Sequence, residues 1–287
     1  MVAGRAADLV ASRQLRLLPA FGWQLQLEAS PRYSLIPVFD SNAYLARIGY
    51  TGPTTLSPET LRALHLAHLY TVPFENLDIS LGREIVCEEE RFLHKIVHLQ
   101  RGGFCYELNG AFAALLRELG FQVTLLSAEV ARDDGSASPE FDHMTLRVDL
   151  EEPWLADVGF GDSFLEPLRL IPEIEQEQYG QRFRIAAVGD VMIVQRQLAG
   201  GKWKSQFRFT QTPRQLRDFE DRCQFQQTSP ESHFTRQRIC TLPTREGRIT
   251  LSDLKLIRTT GGKREERMLQ NEEQWRAALE EHFGVRL

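Results

Sequence analysis

The spacing of hydrophobic positions changes twice along this chain. Up to residue 120 they recur at helical intervals, from 120 to 210 they alternate with polar residues, and beyond 210 the pattern is mixed. Residues 42–48 read as a short helix, stopped by Gly49 and by Gly52-Pro53. Ser57 followed by Pro58 and Glu59 marks a second helix start, with Ser as N-cap and Pro at the first helical position. Leu61, Leu64, Leu66 and Leu69 carry that helix to about Tyr70, and Pro73 ends it. Residues 92–100 predict a third helix. Leu108, Phe112, Leu115 and Leu119 predict a fourth over 105–119, with Gly120 as its C-terminal cap.

After Gly120, residues 122–130 are rich in Val, Leu and Thr, and 132–140 form a polar turn segment. Met144, Leu146, Val148 and Leu150 alternate with His143, Thr145, Arg147 and Asp149, which predicts a strand with one buried face. Residues 154–160, 183–188, 191–197 and 203–210 read as further strands, with Gly189-Asp190 and Gly200-Gly201 as turns. Residues 213–223 are charged and helical in pattern. Residues 248–256 and 256–260 look like strands ahead of a turn at Gly261-Gly262, and 271–283 predict an amphipathic helix with Trp275, Leu279 and His282 on one side. The order is helices, then sheet, then a small mixed region.

Composition excludes more than it proposes. At 287 residues the chain is one large domain or two to three small ones. Its 42% hydrophobic and 25% charged residues are ordinary soluble globular usage, and a net charge of −5 gives no electrostatic case for nucleic acid or an anionic membrane. No apolar run approaches a membrane span. Four cysteines, Cys87, Cys105, Cys223 and Cys240, fit a reduced cytoplasmic protein better than a disulfide scaffold. Arg13 and Arg16 break the apolar core that a signal peptide would need. Cys87, His94, His98 and Cys105 match no common metal spacing, so no metal is expected. His94 and His98 are read as lining one helix face, and His65 and His68 as core-edge residues. No Walker-type or dinucleotide fingerprint is present.

The segment with most chemical content is Arg101-Gly-Gly-Phe-Cys-Tyr-Glu-Leu-Asn109. It puts Cys105 in the first turn of the fourth helix, where the macrodipole favours thiolate over thiol. Taken alone, such a cysteine is better read as a small inert hydrophobe, and what shifts the reading is the His and Asp downstream. Gly102 and Gly103 allow a sharp turn and close approach of a ligand to the backbone. A cysteine nucleophile needs a base and a group to orient that base. His143 opens a strand, and Asp157 lies in an apolar run where an unpaired carboxylate is costly. His143 and Arg147 both qualify as partners for Asp157. A hairpin symmetric about Glu152 puts Asp157 opposite Arg147, with His143 roughly 13 Å along the strand.

Several ordered segments together resemble the arylamine N-acetyltransferases. They are residues 101–110, residues 44–52 (Tyr-Leu-Ala-Arg-Ile-Gly-Tyr-Thr-Gly), residues 72–77 (Val-Pro-Phe-Glu-Asn-Leu), residues 154–163 (Trp-Leu-Ala-Asp-Val-Gly-Phe-Gly-Asp-Ser) and, more loosely, residues 228–234. The resemblance spans residues 38–287. It implies an α+β fold with a cysteine-protease-like core: a helical bundle over 37–120 carrying the nucleophile, an antiparallel β-barrel over 121–212 carrying His and Asp, and a linker with an α/β lid over 213–287. Residues 1–36 depart from the family pattern as an extension. The resemblance further implies a catalytic triad of Cys105, His143 and Asp157, with Phe74, Gly103, Phe160 and Phe225 as candidate substrate contacts. It implies acetyl-CoA as acyl donor, an aromatic amine or hydrazine as acceptor, and ping-pong transfer through a cysteine thioester. A cysteine hydrolase or transglutaminase-like enzyme with the same triad, and a non-catalytic binding protein on this scaffold, are the competing expectations.

Overall fold

The computed structural model describes residues 39–287, so the expectation for residues 1–36 lies outside the described residues. The first helices are α1 (Ser41–Arg47) and α2 (Pro58–Thr71). Asp40 caps α1 through Asn42 N–H, and Ser57 caps α2 through Thr60 N–H at 3.2 Å, with Pro58 at the first position. A two-residue strand, β1 (Phe74–Glu75), and a single-turn helix, α3 (Leu77–Ser80), follow. The predicted third helix begins earlier, as α4 (Glu89–Leu93), and widens into a π-helical turn over His94–His98. There the His94 and His98 rings do share one exposed face, 5.6 Å apart.

Helix α5 (Cys105–Glu118) is the axis of the molecule. Its spacing predicted one apolar stripe, yet every residue from Arg101 to Leu116 is buried. The reason is packing on two sides: α5 lies against α4 and against the strands β2 (Gln122–Val130) and β3 (His143–Asp149). Small residues make that possible. Gly110, for example, sits where a Cβ would come within 2.7 Å of the Phe92 ring. Gly120, at φ 96°, ends the helix as expected.

An eight-stranded antiparallel sheet curls into a nearly closed barrel. After β3 come β4 (Pro153–Ala156), β5 (Leu168–Arg169), β6 (Gln176–Gln178), β7 (Gln181–Val188), β8 (Val191–Gln197) and β9 (Trp203–Phe209), in the spatial order β5-β4-β3-β2-β9-β8-β7-β6. No ladder joins β5 to β6. Two glutamine side chains take its place: Gln176 bonds both N–H and C=O of Arg169, and Gln178 bonds the N–H of Leu165 and Glu166 and the C=O of Glu166. That satisfies backbone groups which would otherwise form exposed edges. The barrel interior is built on Phe164, Phe183, Phe207 and Phe209, while Met144, Leu146 and Val148 on the other face of β3 join the core of α5.

The predicted helix over 213–223 forms later, as a 3-10 turn at Leu216–Phe219 running into α6 (Glu220–Thr228), and α7 (His233–Arg236) follows. The rest is a meander of β10 (Ile239–Thr244), β11 (Gly247–Ser252), β12 (Lys255–Thr260) and β13 (Lys263–Met268), closed by α8 (Glu272–Phe283). Its order, β1-β10-β11-β12-β13, shows that Phe74 and Glu75 supply the first strand of the C-terminal sheet. Strands this short or this charged carry no alternation signal, which is why β1, β5, β6 and β13 were not predicted.

Candidate active site

The first turn of α5 is held open by backbone rather than by a side-chain cap. Gly102 runs so close to the preceding segment that a Cβ there would fall 2.0 Å from the Pro73 carbonyl oxygen. Gly103 bridges to Phe74, and the Glu75 N–H donates to its carbonyl at 2.8 Å. Glu107 reaches back to accept the Phe104 N–H at 3.1 Å. Beneath this turn lies a buried ionic cluster. Lys95 Nζ is 2.8 Å from Glu107 Oε1 and 2.7 Å from Asp78 Oδ2. Arg101 donates to Glu75 Oε1 from Nε and Nη2 at 3.0 and 2.7 Å, with Asp78 Oδ1 at 3.1 Å. Burial, outweighing the pull of Lys95, raises Glu107 to about 7.

Cys105 therefore opens the helix as expected, buried but lining a cavity of about 430 Å³. Burial pushes its thiol well up, although the N–H groups of Met144 and Tyr106 act the other way. Desolvation at the head of the helix thus opposes the pull of the dipole toward thiolate. His143 lines the same cavity. Its Nε2 lies 2.6 Å from Asp157 Oδ2, and its ring is walled by Phe160 and Phe207 at 5.2 and 5.3 Å between centroids. A carboxylate opposite Nε2 fixes the proton there and leaves Nδ1 as the basic nitrogen.

The expected obstacle to this contact was one of register, and the structure removes it. The hairpin is centred on Glu151: Leu146 pairs with Ala156 and Arg147 with Leu155. Asp157 thus follows the residue opposite Leu146, and His143 is its diagonal neighbour on the same face. Arg147 goes elsewhere, to Asp149 and Gln211. The strand predicted to reach residue 160 stops at Ala156, because the Asp157 N–H donates to His65 Nε2 at 3.0 Å instead of to a ladder. Burial alone would raise Asp157. His143, the Asn109 amide and the Gly159 N–H outweigh it and hold the carboxyl below its ordinary range.

Sequence reasoning missed the groups that hold this pair. Asn109 donates to Met144 O at 2.6 Å and to Asp157 Oδ1 at 2.9 Å, and accepts the Val158 N–H. A signal existed: Asn109 is four residues from Cys105, on a helical face that continues through Phe112, Ala113 and Leu116. His65 is fully buried rather than at a core edge, and burial pushes it down to about 4, so it is neutral and donates Nδ1–H to Leu165 O. Nothing in the sequence links it to a residue 92 positions away. Gly159 packs on Cys105 itself, where a Cβ would lie 2.8 Å from Cys105 Cα. Phe141 takes a left-handed φ of 67° before His143, held by the Tyr106 hydroxyl donating to its carbonyl at 2.7 Å.

Of the other candidates, Phe74 and Phe160 line the cavity. Gly103 does not, its place being taken up by the contact with β1. Phe225 does not either, because its ring lies 4.0 Å under the Arg222 guanidinium; Phe234 provides the third aromatic wall. Among the described residues no group of three or more His, Cys, Asp or Glu is placed to hold a metal, and no helix is long and apolar enough to cross a membrane.

Fold and cleft together define an α+β protein with a buried cysteine at the head of its central helix, opening into an aromatic-walled cavity. A family model described as N-acetyltransferase matches residues 57–287. The chain is 36% identical over 248 residues to the arylamine N-acetyltransferase of Escherichia coli, covering 85% of this chain and 88% of that one. It superimposes on the Salmonella typhimurium arylamine N-acetyltransferase with a TM-score of 0.80 at 33% identity, covering 85% and 90% of the two chains. It superimposes on the Mycobacterium marinum enzyme in complex with CoA with a TM-score of 0.79 at 30% identity, covering 86% and 93%. The chain belongs to the arylamine N-acetyltransferase family and is an enzyme of that family.

Proposed function

We propose that the protein transfers an acetyl group from acetyl-CoA to an aromatic amine or hydrazine through a thioester on Cys105. The observation that carries this reading is the buried 2.6 Å contact of His143 Nε2 with Asp157 in the cavity that Cys105 lines. Because burial disfavours a lone thiolate, Cys105 ionises by passing its proton to His143 Nδ1, and Asp157 stabilises the imidazolium so formed. The thiolate attacks the acetyl carbonyl. The Cys105 N–H, at a helix position with no intrahelical acceptor, is available to the oxyanion. Collapse breaks the carbon–sulfur bond to CoA, whose sulfur takes the proton from His143. The amine then attacks the acetyl-enzyme, His143 accepts its proton, and the Cys105 thiol is restored.

Phe74, Phe160 and Phe234 suit a flat acceptor, since aromatic rings offer stacking and edge contacts. Asp157, Asn109 and His65 act on the reaction only through His143. The test is a steady-state assay with acetyl-CoA and an aromatic hydrazine. The expected result is acetylhydrazide formation with parallel double-reciprocal lines, abolished in Cys105→Ala. Normal transfer by Cys105→Ala, or intersecting lines, would refute the covalent route.

A further inference from the structure

The cleft has one wall that the transfer chemistry does not use. On β10 and β11, Cys240, Leu242, Ile249 and Leu251 turn toward α8, so strand alternation turns Thr241, Arg248 and Thr250 to the other face, where they line the cavity. Arg248 is an unusual lining residue among Phe74, Phe160 and Phe234. Its guanidinium carries five donors. It is placed by one hydrogen bond, Nη1 to Thr241 Oγ1 at 3.1 Å. Its carboxylate, Asp162, is 3.4 Å away, and the other oxygen of Asp162 is 3.5 Å from Arg196 Nη1. Arg169 shows what a committed pair looks like in this chain: two bonds to Glu152, at 2.7 and 2.8 Å.

Two largely buried guanidiniums thus share one carboxylate that is 60% exposed, leaving a surplus positive charge at an apolar wall. Burial and the neighbouring Arg196 pull Arg248 below the ordinary guanidinium range, against the opposing effect of Asp162. The other charge at the wall is already answered: Asp142 is bonded by Arg222 Nε at 2.7 Å and by the Gln226 amide. Resting on the function proposed above, we propose that Arg248 is a specificity residue that binds an anionic substituent, carboxylate or sulfonate, on the aromatic acceptor. A ring held by the phenylalanines with its amine at Cys105 would present such a group to a guanidinium able to give it a bidentate pair.

The donor is also anionic, so the test separates the half-reactions. Two amines of similar basicity, 4-aminophenylacetate and 4-methylaniline, are compared as acceptors, and acetyl-enzyme formation from acetyl-CoA is timed without acceptor. The expected kcat/KM favours the acid by about tenfold or more, the scale of a charged hydrogen bond. Arg248→Met removes the preference while leaving acetyl-enzyme formation within about twofold. Asp162→Asn, which frees the guanidinium, increases the preference. Equal acceptance of both amines by the unaltered protein overturns the inference but not the transferase reading. So does an Arg248→Met protein slowed only in acetyl-enzyme formation, which would assign the arginine to the phosphates of CoA. Acetylation of neither amine overturns both.

Discussion

Two buried polar clusters meet at the first turn of α5, and they are built on opposite rules. Below the turn, Lys95 and Arg101 face Glu75, Asp78 and Glu107, with Arg83 reaching Asp78 from the surface at 3.7 Å. Above it stands one carboxylate, Asp157, with neutral donors from Asn109 and Gly159 and the imidazole of His143. The lower cluster balances charge with charge and locks the chain path through Gly102 and Gly103. The upper one spends hydrogen bonds to keep a single negative charge in a fixed place. Such a difference predicts that the lower cluster governs stability and the upper one governs chemistry.

The largest effect should come from Asp157→Asn. Asn109 Nδ2 and Gly159 N both donate to Oδ1, so the asparagine carbonyl must take that position. Its NH₂ then faces His143 Nε2, which must become the acceptor, and the ring proton moves to Nδ1. The base is lost, and kcat/KM for acetyl transfer should fall about 10⁴-fold, the scale of a wrong imidazole tautomer. The melting temperature should stay close to that of the unaltered protein. Equal losses of stability and activity would erase the distinction between the clusters.

Lys95→Met should behave in the reverse sense. It leaves three buried carboxylates to one buried guanidinium, and urea denaturation should report a loss of about 3–5 kcal/mol. The fraction that remains folded should still transfer acetyl groups. A smaller effect separates charge from shape within the lower cluster. Glu107, raised from an ordinary 4.5 to about 7, binds its proton more tightly in the folded state. Its contribution to stability should therefore decline as pH rises from about 4.5 through 7, while buried His65, pushed from 6.5 down to about 4, contributes stability that rises over much of the same range; Glu107→Gln removes the first contribution and keeps the second. Asp78 and Asp157, both held below their ordinary range, contribute in the opposite direction, with stability that is lost as pH falls through it. Denaturation midpoints of the unaltered protein and of Glu107→Gln across pH 4–8 check the sign; an advantage of the unaltered protein over the variant that grows as pH rises would contradict it.

Much of the fold was legible because it is periodic. Ser57-Pro58, the run from Cys105 to Gly120 and the alternation from Met144 to Leu150 each state a local preference that packing then respected. The site was less legible, because its contacts depend on register and distance. Placing the hairpin on Glu152 instead of Glu151 was enough to point Asp157 at Arg147 and away from His143. Asn109 could have been found by helical spacing. His65 could not, because no local pattern says which buried histidine will meet a strand end 92 residues later. Arg248 had a signal in the alternation of its strand, but which face lined a cleft was not in the sequence.

Whether Cys105 carries the acetyl group is decided most directly by mass spectrometry of the protein after mixing with acetyl-CoA in the absence of an acceptor. The expected result is a single added acetyl group, mapped to the peptide containing Cys105, absent from Cys105→Ala and discharged when an aromatic hydrazine is added. An unmodified protein, or an acetyl group on another residue that still discharges to the hydrazine, would contradict it.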